Sequence, residues 1–73
     1  MAFKGTPEQE KELKSVIQKH KDQKGALMPV LQEAQEIYGY LPIEVQTMIA
    51  EGLDIPLEEV YGVVTFYAQF SLY

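Results

Sequence analysis

The chain has 73 residues and a formal net charge of −5, with eleven acidic residues against six lysines and no arginine. A chain this short forms one domain at most, and an acidic surface without arginine does not favour binding to nucleic acid. The absence of cysteine excludes disulfides, thiolate nucleophiles and metal sites held by cysteine. No apolar run reaches the ~20 residues that span a bilayer, and Met1–Gly5 lacks a signal-peptide hydrophobic region. We therefore expect a cytoplasmic protein that does not cross a membrane.

Prolines and glycines divide the chain into four segments of helical period. A proline stands at the start of each segment, where its missing N–H costs no helical hydrogen bond. These prolines are Pro7, Pro29, Pro42 and Pro56. A glycine stands near the ends of three segments, where a left-handed residue can close a helix. These glycines are Gly25, Gly39 and Gly52. The pattern predicts an all-α fold, a small bundle of four short helices over about residues 7–20, 26–38, 43–52 and 57–70.

The first predicted helix opens with a capping box, in which Thr6 is the cap and Gln9 follows three residues later. Its acids lie early and its lysines late, as the helix dipole favours. Its apolar stripe contains Leu13, Val16 and Ile17, with His20 as a candidate fourth member. The second helix has one clean apolar stripe opposite glutamines and glutamates, which is typical of a half-buried helix. That stripe consists of Leu27, Val30, Leu31, Ala34, Ile37 and Tyr38.

The third predicted helix buries Val45, Met48 and Ile49, and the fourth is apolar nearly all round. β-Branched residues make a strand at 60–67 the competing prediction, but the 3.6-residue period favours a helix. On a helical wheel the last helix shows two apolar faces. The first contains Leu57, Val60, Tyr61, Val64 and Ala68, and the second contains Val63, Phe66, Phe70 and Tyr73.

Three other short helices can cover only one face of such a helix, so the second face predicts contact with a partner. The alternative is that its aromatic side chains fold back onto the first helix. The run Tyr38–Pro42 predicts a tight corner, with an exposed aromatic contact as the functional alternative. The predicted partner-binding residues are Val63, Phe66, Phe70, Tyr73 and Tyr40.

No set of residues predicts catalysis, cofactor binding or metal binding. His20 is the only histidine, and its place beside lysines at a helix end predicts a solvated side chain. Glu58 and Glu59 are interpreted as first-turn acids that favour the helix dipole, because their spacing does not follow a calcium loop. The scattered glycines form no phosphate-binding loop.

Two motifs together resemble a known family. Leu27–Pro42 (LMPVLQEAQEIYGYLP) and Val60–Phe70 (VYGVVTFYAQF) are similar to the N-terminal helical region of the thioredoxin-like [2Fe-2S] subunit of bacterial complex I, NAD(P)-linked hydrogenases and formate dehydrogenases. The similarity runs from about Leu27 to Tyr73. The resemblance implies a single helical domain, residues 1–73, that forms the N-terminal part of a longer chain. A [2Fe-2S] cluster would then be held by a following domain, with no cofactor in the helical part.

The resemblance also implies a function, a helical docking and assembly domain of an electron-transfer subunit in an NAD(P)H-dependent oxidoreductase or hydrogenase complex. Its partners would be the flavin and NAD(P)H-binding subunit and the chain's own iron–sulfur domain. A free-standing helical interaction module without a redox role is the alternative. A helix-turn-helix DNA-binding protein is a weaker one, because the third and fourth segments contain no lysine or arginine.

Overall fold

A computed structural model describes residues 5–72, and within them the predicted all-α fold is confirmed. Short turns join four consecutive helices, and the described residues contain no strand, so the competing strand prediction for 60–67 is wrong. The helices are α1 (Pro7–His20), α2 (Leu27–Tyr38), α3 (Ile43–Leu53) and α4 (Leu57–Phe66).

The predicted capping box fixes the start of α1. The Gln9 backbone N–H donates to Thr6 Oγ1 at 3.1 Å, and the Thr6 N–H donates to Gln9 Oε1 at 3.0 Å. The Gln9 side-chain amide also donates to the Ile37 carbonyl at 3.1 Å. The start of α1 is therefore tied to the end of α2, and the two helices pack side by side.

The predicted corner after α2 is present. Gly39 adopts a left-handed conformation (φ 84°) and its N–H donates to the Gln35 carbonyl, which closes the helix. Leu41 is fully buried, and its carbonyl accepts a hydrogen bond from the buried Gln46 side-chain amide at 2.8 Å. Pro42 then precedes the first residue of α3. The corner is thus held by its own backbone and by a buried glutamine.

The end of α3 differs from the prediction. Asp54, rather than Gly52, takes the left-handed conformation that ends the helix (φ 58°). Gly52 lies inside α3, and a Cβ atom there would approach Ile17 Cγ2 to 2.8 Å. A glycine at this position therefore lets α3 lie close to α1. Its role is this close packing, and it does not end the helix as predicted.

The core lies between the four helices and contains apolar side chains from each of them. α1 contributes Leu13 and Ile17, and α4 contributes Val60 and Val64. The remaining buried members come from α2, α3 and the segments after α2 and α4. They are Val30, Leu31, Ala34, Leu41, Val45, Ile49, Ala50 and Phe70. This one continuous core contains part of the apolar stripe predicted for each helix.

The last helix is shorter than predicted, ending at Phe66 instead of residue 70. Tyr67 is extended (φ −95°, ψ 121°), and the chain after it runs back across α2. The Gln35 side-chain amide donates to the Gln69 carbonyl at 2.8 Å, and Gln35 Oε1 accepts the Ser71 N–H at 2.6 Å. The Leu41 N–H donates to the Ser71 carbonyl at 2.7 Å. These distant partners hold the segment after α4 in a path that a helix continued to residue 70 would not follow.

Candidate docking surface

α4 buries one side and exposes large aromatic side chains elsewhere. Val60 and Val64 are buried in the core, whereas Phe66 is 81% exposed. Tyr61 and Tyr67 are 47% and 41% exposed. The Phe66 and Tyr67 rings pack edge to face, with centroids 5.2 Å apart and planes at 76°. We call Tyr61, Phe66 and Tyr67 the aromatic surface. Large exposed apolar groups of this kind are typical of interaction sites.

The structure separates the residues predicted for the second face of the last helix. Phe66 is exposed, and Val63 is half-buried against the core. Phe70 is 7% exposed and belongs to the core, so its predicted place on an open face is wrong. Its burial follows from the end of the helix at Phe66, because the returning segment brings its ring inward. Tyr73 lies outside the described residues.

Tyr40 lies in the corner between α2 and α3 and is half-buried. Nothing in the structure brings it together with the aromatic surface. The partner-binding roles assigned to Val63, Phe66, Phe70, Tyr73 and Tyr40 stay predictions.

Two members of the aromatic surface were not predicted as partner contacts. Tyr61 was assigned to the inward face, yet almost half of its surface is exposed. Ala68, which is not part of the aromatic surface, was assigned to the same inward face and is also exposed, because it lies beyond the end of α4. Tyr67 was assigned to neither face, although the consecutive aromatic pair Phe66–Tyr67 carried a signal. Adjacent residues on a helix point in different directions, so both rings could not have reached the same core.

The surroundings of the aromatic surface are acidic. Glu58 and Glu59 are exposed in the first turn of α4. The ion pairs found among the described residues, Lys14–Glu10 at 3.8 Å and His20–Glu33 at 2.6 Å, involve neither of them. Residues 25–72 contain seven acids and no lysine, arginine or histidine. The segment that carries the aromatic surface therefore has only acidic charges of its own, although Lys21 of the preceding turn lines the same surface depression as Glu59.

His20 differs from its predicted solvated state, because it is 9% exposed and holds two helices together. Its Nε2 lies 2.6 Å from Glu33 Oε2 on α2, and its Nδ1 lies 2.8 Å from Gln23 Oε1. The imidazolium form satisfies both contacts, since both of its nitrogens donate. The hydrogen bonds to Gln23 and Glu33 raise the pKa of His20 above its usual 6.5. This arrangement stabilises the α1–α2 packing and provides no nucleophile or metal site.

The donor set of this chain does not fit an iron–sulfur cluster. Such clusters are held mainly by cysteine thiolates, and the chain contains no cysteine. Residues 5–72 also bring together no group of three histidine, aspartate or glutamate side chains that could hold a metal ion. Among the helices that the structure describes, none has the length and apolar character to cross a bilayer.

Comparison with known proteins assigns the family. The family model of the thioredoxin-like [2Fe-2S] ferredoxin matches residues 13–73. The chain belongs to this family. The resemblance carried by the two sequence motifs is thereby confirmed, although the part of this ferredoxin family that the chain represents is helical and has no cysteine.

Two curated relatives agree with this assignment. The chain is 44% identical to the NADP-reducing hydrogenase subunit HndA of Solidesulfovibrio fructosivorans, over 85% of this chain and 36% of that protein. It is 39% identical to an NADH-quinone oxidoreductase subunit of Aquifex aeolicus, over 94% of this chain and 46% of that protein. The chain therefore spans less than half the length of either relative.

Proposed function

We propose that this helical unit is the docking and assembly domain of an iron–sulfur electron-transfer subunit in an NAD(P)H-dependent oxidoreductase or hydrogenase complex. Its aromatic surface binds the flavin and NAD(P)H-binding subunit. The observation that supports this proposal is Phe66, which is 81% exposed on a helix whose opposite side is part of the core. A free-standing domain gains nothing from exposing that ring.

The energetics suit a docking role. Complete burial of one exposed phenylalanine side chain contributes about 1.5–3 kcal/mol. Tyr67, whose ring packs against Phe66, adds apolar area beside it, and Tyr61 is exposed on the same helix. Each tyrosine retains a hydroxyl that can reach a partner or water at the rim. Aromatic side chains lose little conformational entropy on binding, which limits the ordering cost of association.

The fold suits a rigid attachment. α4 is fixed to the core through Val60 and Val64, and the segment after it is fixed through Gln35 and Leu41. A domain held in this way keeps a constant position relative to the partner that it binds. We propose that it precedes a cluster-binding domain in the same chain and keeps that domain beside the flavin subunit in the cytoplasm.

The alternative, a free-standing interaction module without a redox role, uses the same surface. Membership of a [2Fe-2S] ferredoxin family favours the redox role. The two relatives also support it, because each carries the name of a subunit of a redox enzyme.

Phe66→Asp in the complete iron–sulfur subunit tests the proposal. We expect co-purification of the flavin subunit to fall at least about tenfold, because an aspartate cannot be buried in an apolar contact without a partner. Ile43→Asp is the matched control, since Ile43 is also exposed (48%) but lies at the start of α3. Thermal unfolding of the subunit should change little in either variant. Wild-type co-purification by Phe66→Asp would contradict the docking role.

A further inference from the structure

Neither backbone conformation nor packing within the described fold requires a glycine at position 62. Gly62 lies inside the ten-residue helix α4, where alanine would favour the helix by about 1 kcal/mol. Gly25 and Gly39 have positive φ angles, and Gly52 faces Ile17 at close range. A Cβ atom at Gly62 would meet nothing within 4 Å. The missing side chain therefore serves neither the backbone conformation nor the packing of the described fold.

Gly62 lies on the solvent side of α4, between an acidic side chain and an aromatic one. Residues four apart on a helix are neighbours on one face, so Glu58 precedes Gly62 and Phe66 follows it. All three are exposed. Over the eight residue steps from Glu58 to Phe66 the helix rises about 12 Å. The missing side chain leaves a shallow notch in the middle of this strip, with a carboxylate at one end and an aromatic ring at the other.

The Thr65 hydroxyl beside the notch is already engaged within the helix. Thr65 is exposed next to Gly62, but its hydroxyl donates back to the Tyr61 carbonyl at 2.9 Å and lies 3.2 Å from the Gly62 carbonyl. The groups left for a partner are therefore the carboxylates of Glu58 and Glu59, the aromatic rings and the bare backbone at Gly62. Acidic groups and rings together attract a cation that also has an apolar stem.

Charge complementarity identifies the occupant. Neither Glu58 nor Glu59 has an ion-pair partner among residues 5–72. Lys21 lines the same surface depression as Glu59, which leaves Glu58 as the carboxylate without a lysine beside it in that depression. Arginine fits better than lysine, because its planar guanidinium can bind a carboxylate through two N–H groups and stack on a ring. Its aliphatic stem would lie across Gly62, where even a methyl group would stand in the way.

We propose that the notch at Gly62 receives an arginine side chain of the flavin subunit, with its guanidinium on Glu58 or Glu59 and its stem against Phe66. This inference rests on the proposed function, which it deepens by naming the chemistry that the partner presents. Gly62 is then a specificity-determining residue. It lowers the stability of α4 but lets the arginine stem approach the helix backbone closely.

Affinity measurements between the complete iron–sulfur subunit and the flavin subunit test this assignment. Gly62→Ala should weaken binding about tenfold while leaving thermal unfolding unchanged or shifted upward. Glu58→Gln combined with Glu59→Gln should also weaken binding about tenfold and reduce its dependence on salt between about 50 and about 300 mM. Glu44→Gln is the matched control, because Glu44 is an exposed first-turn acid of α3. It should bind as the wild type does.

The outcomes separate the two proposals. Wild-type affinity in either the Gly62 variant or the double glutamate variant overturns the arginine assignment. If Phe66→Asp still abolishes binding in that case, the docking surface stands without the notch. If Phe66→Asp also binds as the wild type does, both proposals fail together.

Discussion

His20 shows at the scale of one residue how the fold depends on a charge. Its ring is buried at the end of α1 and contacts Glu33 of α2 and Gln23 of the following turn. The sequence could not predict this, because local reasoning sees only the neighbouring lysines. The partner that decides the matter lies thirteen residues away.

This contact predicts a pH dependence of stability. The pKa of His20 is raised in the fold, so the folded state favours the imidazolium. Its contribution is complete below the ordinary value of 6.5 and is lost as the pH rises through the folded pKa. We expect the thermal unfolding temperature to fall as the pH rises above about 6.5 and through the raised pKa of His20, and to fall less in Glu33→Gln. An equal decrease in both proteins would show that Glu33 does not support the charge.

The glycines predict opposite effects of the same substitution. Gly52→Ala places a methyl group 2.8 Å from Ile17 Cγ2 and 2.9 Å from Ile17 Cδ1, and Ile17 is only 6% exposed. The overlap outweighs the gain in helix propensity, so we expect a loss of about 1 kcal/mol in the free energy of unfolding. Gly62→Ala meets no atom and should gain about 0.5–1 kcal/mol. Urea denaturation of the two variants checks this, and stabilisation by both would contradict the close approach of α1 and α3.

At the scale of the elements, most of the fold could be predicted from the chain. Proline and glycine positions and the 3.6-residue period indicate where the helices lie, because these signals act within a few residues. The end of α4 could not be predicted in this way. Its apolar period continues to residue 70, but the Gln35 side chain holds the last segment in another path. Gln35 binds the Gln69 carbonyl and the Ser71 N–H, which lie 34 and 36 residues later in the chain.

Gln35 is therefore expected to determine the position of the segment after α4. Gln35→Ala removes its hydrogen bonds to the Gln69 carbonyl and the Ser71 N–H. We expect a loss of about 1–2 kcal/mol in the free energy of unfolding and faster hydrogen exchange of the Ser71 amide. Gln32→Ala, at an exposed position of the same helix, is the control. Exchange at Ser71 that is unaltered by Gln35→Ala would show that the segment is held without Gln35, by Phe70 burial and the hydrogen bond from the Leu41 N–H to the Ser71 carbonyl.

The residues of the candidate surface could also be predicted only where local signals determine their exposure. Its central residue, Phe66, could be predicted because too few helices are present to cover both faces of the last one. Phe70 could not be placed correctly, since its inward position depends on the early end of α4. Tyr61 and Tyr67 were missed because their exposure depends on how α4 is rotated against the core.

At the scale of the whole molecule, the positive charges are confined to one part of the chain. All the lysines described in the structure lie in α1 and the turn after it, whereas residues 25–72 carry only acidic charge. The aromatic surface lies in the acidic part. Complementary charge accelerates the encounter of two proteins and selects among partners more than it adds affinity. A basic flavin subunit would thus be guided to α4 before the apolar contact forms.

In the proposed docking role, Phe66 and its aromatic neighbours become buried when the flavin subunit binds. Hydroxyl-radical footprinting of the complete iron–sulfur subunit, alone and with the flavin subunit, measures this directly at the side chains. We expect strongly reduced oxidation of Tyr61, Phe66 and Tyr67 in the complex, with Ile43 oxidised equally in both states. Equal oxidation of Phe66 with and without the flavin subunit would contradict the docking role.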